Sequence, residues 1–251
     1  MRTGAFCRKL TPVGASVPGN TVLLVTCEHA SAHVPGRVRH CFSRPLARRD
    51  LNSHRGFDIG AVWVARQVAR AAGVPCIEGR VTRLLIDLNR SPHHRQLFSE
   101  YSRPLPNAQK RWLLEAHYWP HQQRVIERIE GARRAGALAV HIAVHSFTPV
   151  LDTTIRNADV GLLYDPRRKT ELKFACSLQR YIGAKGGLRV RRNYPYRGVA
   201  DGLPTLLRRR FSSKAYLGLE LELNQALLAT RSKVLVAQLL EGIRQALREL
   251  R

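Results

Sequence analysis

The feature that most constrains this chain is an alternation, kept up from Thr21 to Leu250, between short apolar runs of strand length and longer segments with helical periodicity. Thr21 to Cys27 is apolar and β-branched after Pro18-Gly19-Asn20, and so reads as a buried strand. Ile59 to Ala72 carries Val62, Ala65, Val68 and Ala69 at helical spacing, begins just after Asp58 and closes at Gly73. Val74 to Ile77 and Leu84 to Leu88 read as further strands. Asn107 to Ala135 reads as a helix bent or broken at Pro120, whose nitrogen has no hydrogen to donate. Leu138 to Val144 and Val160 to Tyr164 are strands, Arg168 to Ile182 a helix, Leu188 to Arg192 and Ala215 to Leu223 strands, and Ser232 to Leu250 the last helix. This succession predicts an α/β fold with a mixed, mainly parallel central sheet and helices on both faces.

With 251 residues and no repeat or low-complexity linker, residues 1–251 are expected to form one domain, 1–20 being a loose N-terminal segment. No apolar run approaches the roughly 18 residues that span a bilayer. Met1 to Asn20 lacks the apolar stretch of a secretory leader, so a cytoplasmic location without a membrane partner is expected. Cys7, Cys27, Cys41, Cys76 and Cys176 are scattered without a CxxC pair, and free thiols are expected. The formal net charge of +24 comes from 42 Lys and Arg against 18 Asp and Glu. These cations run along the whole chain instead of gathering in one tail or an aromatic-interleaved stripe. A solvated basic surface is therefore expected ahead of specific nucleic-acid binding, with Arg189 to Arg192 and Arg208 to Arg210 on helix or loop surfaces.

Open α/β sheets bind ligands beyond the carboxyl ends of their strands. Four polar clusters follow the expected strands there: Cys27-Glu28-His29-Ala30-Ser31, Asp87-Leu88-Asn89-Arg90, His145-Ser146-Phe147-Thr148-Pro149 and Glu220-Leu221-Glu222-Leu223-Asn224-Gln225. A hydrolytic metal centre needs two or three imidazole or carboxylate ligands, an open position, and a carboxylate to shuttle a proton. His29 and His145 offer imidazoles, Asp58 an anionic third ligand and Glu222 the base. Asn89 and Arg90 offer a fork for a substrate carboxylate, and Arg83 reaches toward the same anion or the scissile carbonyl. For Arg83 alone, a loop-stabilising salt bridge to Asp87 is the simpler reading. Three alternatives stay open: His54 for Asp58, if the turn between them is helical; Glu220 for Glu222, because alternate strand residues share a face; and Glu28 as a metal contact or loop anchor. His33 and His141 are assigned to structure.

Together the motifs resemble the N-formylglutamate amidohydrolase family over about Val22 to Gln225. The resemblance rests on Cys27 to Ser31 with Pro35, His54-Arg55-Gly56-Phe57-Asp58-Ile59-Gly60, Thr82 to Arg90 and His145 to Pro149. It continues through Asp159-Val160-Gly161-Leu162-Leu163-Tyr164-Asp165, Asn193-Tyr194-Pro195-Tyr196-Arg197-Gly198 and Leu221 to Gln225. It implies a three-layer fold like that of zinc carboxypeptidases, one zinc ion on His29, Asp58 and His145, Glu222 and Arg83 in catalysis, and Asn89, Arg90, Tyr196 and Arg197 in substrate binding. The implied substrate is a small N-acyl amino acid such as N-formylglutamate. Because the first motif here is Cys-Glu-His-Ala-Ser, not a Pro-His-Ser-Gly version, small peptides and peptidoglycan fragments stay open as substrates. A non-catalytic, nucleic-acid-binding role is the competing reading.

Overall fold

The computed structural model describes residues 20–184 and 187–250. Residues 1–19 of the segment expected to be loose, and Cys7 with them, lie outside the described residues. The first half of the chain forms β1 (Thr21–Cys27), a 3-10 helix (Gly36–Phe42), α1 (Pro45–Leu51), α2 (Ala61–Ala71), β2 (Cys76–Glu78), α3 (Asn107–Leu113), a widened π turn (Leu114–Tyr118) and α4 (Trp119–Arg134). The second half forms β3 (Leu138–Phe147), a small hairpin of β4 (Val150–Leu151) and β5 (Thr154–Ile155), β6 (Val160–Leu163), α5 (Lys169–Ala184), β7 (Val190–Arg192), α6 (Leu203–Arg210), β8 (Tyr216–Asn224) and α7 (Gln225–Glu249). Six strands make one sheet in the order β2-β1-β3-β8-β6-β7, parallel throughout except between β8 and β6. The α/β fold with a mixed, mainly parallel sheet is as expected.

Strand β1 shows how the sheet is covered on both sides. Leu23, Val25 and Cys27 enter a core with Val64 and Val68 of α2, Phe174 and Leu178 of α5, and Leu239 and Ile243 of α7. Leu24, pointing the other way, joins Val125 and Ile129 of α4 and Leu203 and Leu207 of α6. Burial on both faces is why such a strand reads as a continuous apolar run. His141, on β3, is the polar exception. It is fully buried, 2.8 Å from Thr26 Oγ1 and 2.8 Å from the Tyr216 hydroxyl, a structural role as expected.

Burial pushes the His141 pKa down to about 4. Its imidazole is then neutral in the fold but charges near pH 6.5 when unfolded, so the folded state binds fewer protons between those values. This residue's contribution is expected to fall by about 3 kcal/mol as pH drops from about 6.5 to 4. Urea titrations of the parent and of His141→Gln across that range should show a shallower pH dependence in the variant.

Three expectations change. Leu84 to Leu88 is not a strand: Thr82 carbonyl to Leu85 N–H and Asp87 carbonyl to Arg90 N–H bonds wind it into turns. Its apolar residues are buried because they fill a separate cluster with Val38, Phe42, Leu113 and Tyr118 beneath the long segment between β2 and α3. A short apolar run does not reveal which kind of core it enters. The helix around Pro120 is not broken; the missing N–H and the ring's clash with the preceding turn are accommodated by the π turn ahead of α4. Arg208 does not lie on the surface. Its side chain is 6% exposed and grips Glu171, with Nε 3.0 Å from Oε1, while Nη2 donates to the Gly218 carbonyl and Nη1 to that of Gly198. Arg189, Arg191, Arg192, Arg209 and Arg210 are exposed as expected.

Candidate active site

His29 lies two residues past the end of β1, His145 near the carboxyl end of β3, and Glu222 beside it on β8, where His145 and Glu222 are register partners. Asp58 arrives from the turn before α2, fixed by its own N–H, which donates to the His29 carbonyl at 2.9 Å. One Asp58 oxygen, Oδ2, stands 2.9 Å from His145 Nδ1 and 3.4 Å from His29 Nδ1. His29, Asp58 and His145 each place a ligand atom within 4.8 Å of the other two, and all three residues are 3% exposed. The far side of each ring is held by a further carboxylate. His29 Nε2 lies 2.7 Å from Asp87 Oδ1, and His145 Nε2 lies 3.0 Å from Glu28 Oε2. Carboxylates in these positions fix the ring orientation and leave each Nδ1 facing the shared centre, the arrangement metal-binding histidines use.

The electrostatics agree with that donor set. In a chain of net charge +24, six of its 18 acidic residues, Glu28, Asp58, Asp87, Asp201, Glu220 and Glu222, line this one cavity or stand directly behind it. Burial works against the charge on Asp58, yet His29, His145 and Arg83 hold its carboxyl well below the usual range. Asp87 behaves alike, with His29 and Arg83 outweighing burial. Burial also opposes protonation of His145, but Asp58 and Glu28 raise its pKa well above the ordinary value. So negative a basin favours a cation, and two imidazoles with one carboxylate suit zinc.

Glu222 sits differently. It is 6% exposed, its Oε2 has no hydrogen-bond partner among the described residues, and burial, reinforced by Asp58 and Glu220 and opposed by His145 and Arg83, pushes its pKa up to about 7. Glu220 faces the same cavity, as strand alternation allows, and burial raises its pKa too.

The cavity, about 200 Å³, is lined by both glutamates, the three candidate ligands and the residues expected to meet substrate: Arg83, Asn89, Arg90, Tyr196 and Arg197. Arg83 bridges Asp58 (3.2 Å) and Asp87 (3.4 Å), so the salt bridge and the cavity position both hold. Asn89 Oδ1 accepts the Leu203 N–H at 2.7 Å, and Arg90 Nη1 donates to the Asp201 carbonyl at 2.9 Å. Asn193 Oδ1 accepts the N–H groups of Tyr164 and Gly198 and so ties down the segment carrying Tyr196 and Arg197. Gly198 must be glycine there, because a Cβ would fall 2.0 Å from the Tyr164 nitrogen.

Of the open alternatives, His54 is exposed and outside the cavity, and Glu28 is fully buried behind His145. His33 is exposed and enters the structure through its carbonyl, which accepts the Thr82 N–H. Asp87 and His121 were missed as site residues. Asp87 stood in the Asp-Leu-Asn-Arg motif, whereas nothing near His121 in the sequence signals its 3.6 Å approach to Glu28 Oε1.

An open α/β sheet with paired imidazoles, an acidic basin and a carboxylate near neutrality at its strand ends defines a hydrolase. The N-formylglutamate amidohydrolase family model matches residues 21–229, and the chain belongs to that family. It is similar, at 27% identity, TM-score 0.78 and 91% coverage of both chains, to the crystal structure of a gene product from Agrobacterium tumefaciens. It shares its fold with N-formylglutamate amidohydrolase from Ralstonia eutropha JMP134, at 18% identity, TM-score 0.65, 95% coverage of this chain and 96% of that one. Among curated proteins none matches the chain.

Proposed function

We propose that the chain is a metal-dependent amidohydrolase acting on a small N-acyl amino acid such as N-formylglutamate. The observation that carries this reading is Glu222: a buried carboxylate with a free oxygen, poised at about 7, beside the histidine-aspartate cluster. His29, Asp58 and His145 would hold one zinc ion, which when bound makes a water acidic and polarises a carbonyl. Glu222 takes the proton of the attacking water at Oε2 and returns it to the departing amine. Arg83, held between Asp58 and Asp87, directs its guanidinium toward the developing oxyanion. Asn89, with its carbonyl oxygen already engaged, offers its N–H₂ group to a substrate carboxylate beside Arg90, and Tyr196 and Arg197 line the same cavity. A cavity of about 200 Å³ suits an acylated amino acid more than a long peptide.

The test is hydrolysis of formyl, acetyl and succinyl forms of Glu, Gln and Asp, followed by amine release; failure on every member would overturn the substrate class. Arg90→Ala is expected to lower kcat/KM by about 10- to 100-fold, mainly through KM, since it removes charge-assisted bonds to the substrate carboxylate. Steady-state kinetics check this. Because the base must be ionised, kcat/KM should rise with pH through an acidic limb at or below about 7, a bound cation favouring the carboxylate. Glu222→Asp should move or flatten that limb.

A further inference from the structure

A second cavity, of about 190 Å³, shares no lining residue with the first. Arg80 and Leu88 line it together with His117, Pro120, His121 and Arg124. The π turn and the start of α4 bring these last four residues together at spacings that share one helical face. His121 is 1% exposed: its Nε2 stands 3.6 Å from Glu28, and its buried Nδ1 has no hydrogen-bond partner among the described residues. His117 Nε2 is likewise buried and without a hydrogen-bond partner among the described residues.

Arg124 spends two N–H groups on the carbonyls of Pro120 and Glu78 at a long 3.4 Å each. Burial and then the charge of Arg80 hold its pKa below the usual arginine value. Among the described residues no carboxylate lines the space. Two arginines and two imidazoles with ring nitrogens to spare thus line a partly open cavity, with Glu28 behind His121 the nearby carboxylate, and buried imidazole nitrogens of that kind call for a partner.

We propose that this cavity binds a small oxyanion, either a monocarboxylate of formate size or an inorganic phosphate ion. The assignment does not depend on the reaction proposed above. The experiment is a titration of ¹⁵N-labelled protein with sodium formate and, separately, with inorganic phosphate, reading the imidazole resonances of all histidines. His117 and His121 are expected to shift along a saturable curve distinct from that of His29 and His145. Saturation by formate alone assigns a carboxylate, and by phosphate alone the inorganic ion.

Arg80→Ala with Arg124→Ala should weaken the response of His117 and His121 about 100-fold, at about tenfold per arginine, and leave that of the first cavity unchanged. Should the double variant fail to fold, Arg80→Ala alone, at an exposed position, should give the tenfold loss. The proposal is overturned if neither ion moves His117 and His121 saturably, or if the variants respond like the parent.

Discussion

Glu222→Gln is expected to reduce kcat/KM by about 10²- to 10⁴-fold, the usual contribution of a positioned acid-base group, while the protein keeps one metal ion per chain. The amide has nearly the volume of the carboxylate and, in place of the raised-pKa acid, carries no titratable proton. Its site is already low in charge cost because the buried carboxyl sits near neutrality. The variant should therefore be at least as stable as the parent, so lost turnover cannot be traced to unfolding. Glu220 faces the same cavity but lies one strand step away from His145, opposite Ala143. Glu220→Gln should accordingly cost much less. Full activity in Glu222→Gln, or equal losses in the two variants, would assign the base elsewhere.

The second large effect concerns Arg208. Its guanidinium is enclosed with Glu171, whose oxygens also accept the N–H groups of Asp165 and Gly218. Arg208→Ala would leave Glu171 buried without its cation, a change that costs about 3–5 kcal/mol. For a chain of this length that corresponds to a fall in Tm of roughly 10 °C, at about 2–4 °C per kcal/mol. Arg208 also supports the carbonyl of Gly198, so the segment bearing Tyr196 and Arg197 should loosen and KM should rise with it. Replacing Glu171 and Arg208 together by apolar residues should recover much of the stability, because no lone charge then remains. Thermal denaturation of the single and double variants measures both effects.

Much of the candidate site is legible in the sequence because its residues sit where the topology of an α/β sheet brings strand ends together. His29, His145 and Glu222 follow or end separate apolar runs, and parallel strands bring those ends to one edge. Asp58 was legible from its motif and its place before α2. Periodicity had less purchase between β2 and α3, where Leu84, Leu85 and Ile86 fill a cluster of their own and give no strand. Arg208 and His121 illustrate a different limit. Nothing adjacent in sequence distinguishes Arg208 from Arg209, and only the packing of α6 against β8 and α5 turns the first inward. Glu28 stands out in the sequence beside His29, but its contacts are with His145 and, across the sheet, with His121 of α4. Such pairings depend on tertiary distance, which local sequence does not encode.

The proposed metal dependence of hydrolysis rests on His29, Asp58 and His145. Its most direct test measures bound metal and turnover of N-formylglutamate on the same sample, before chelation, after it, and after zinc is restored. One ion per chain, activity lost with the ion and regained with it, and no ion retained by His145→Ala are the predicted results. Undiminished turnover by protein shown to be metal-free would contradict the account.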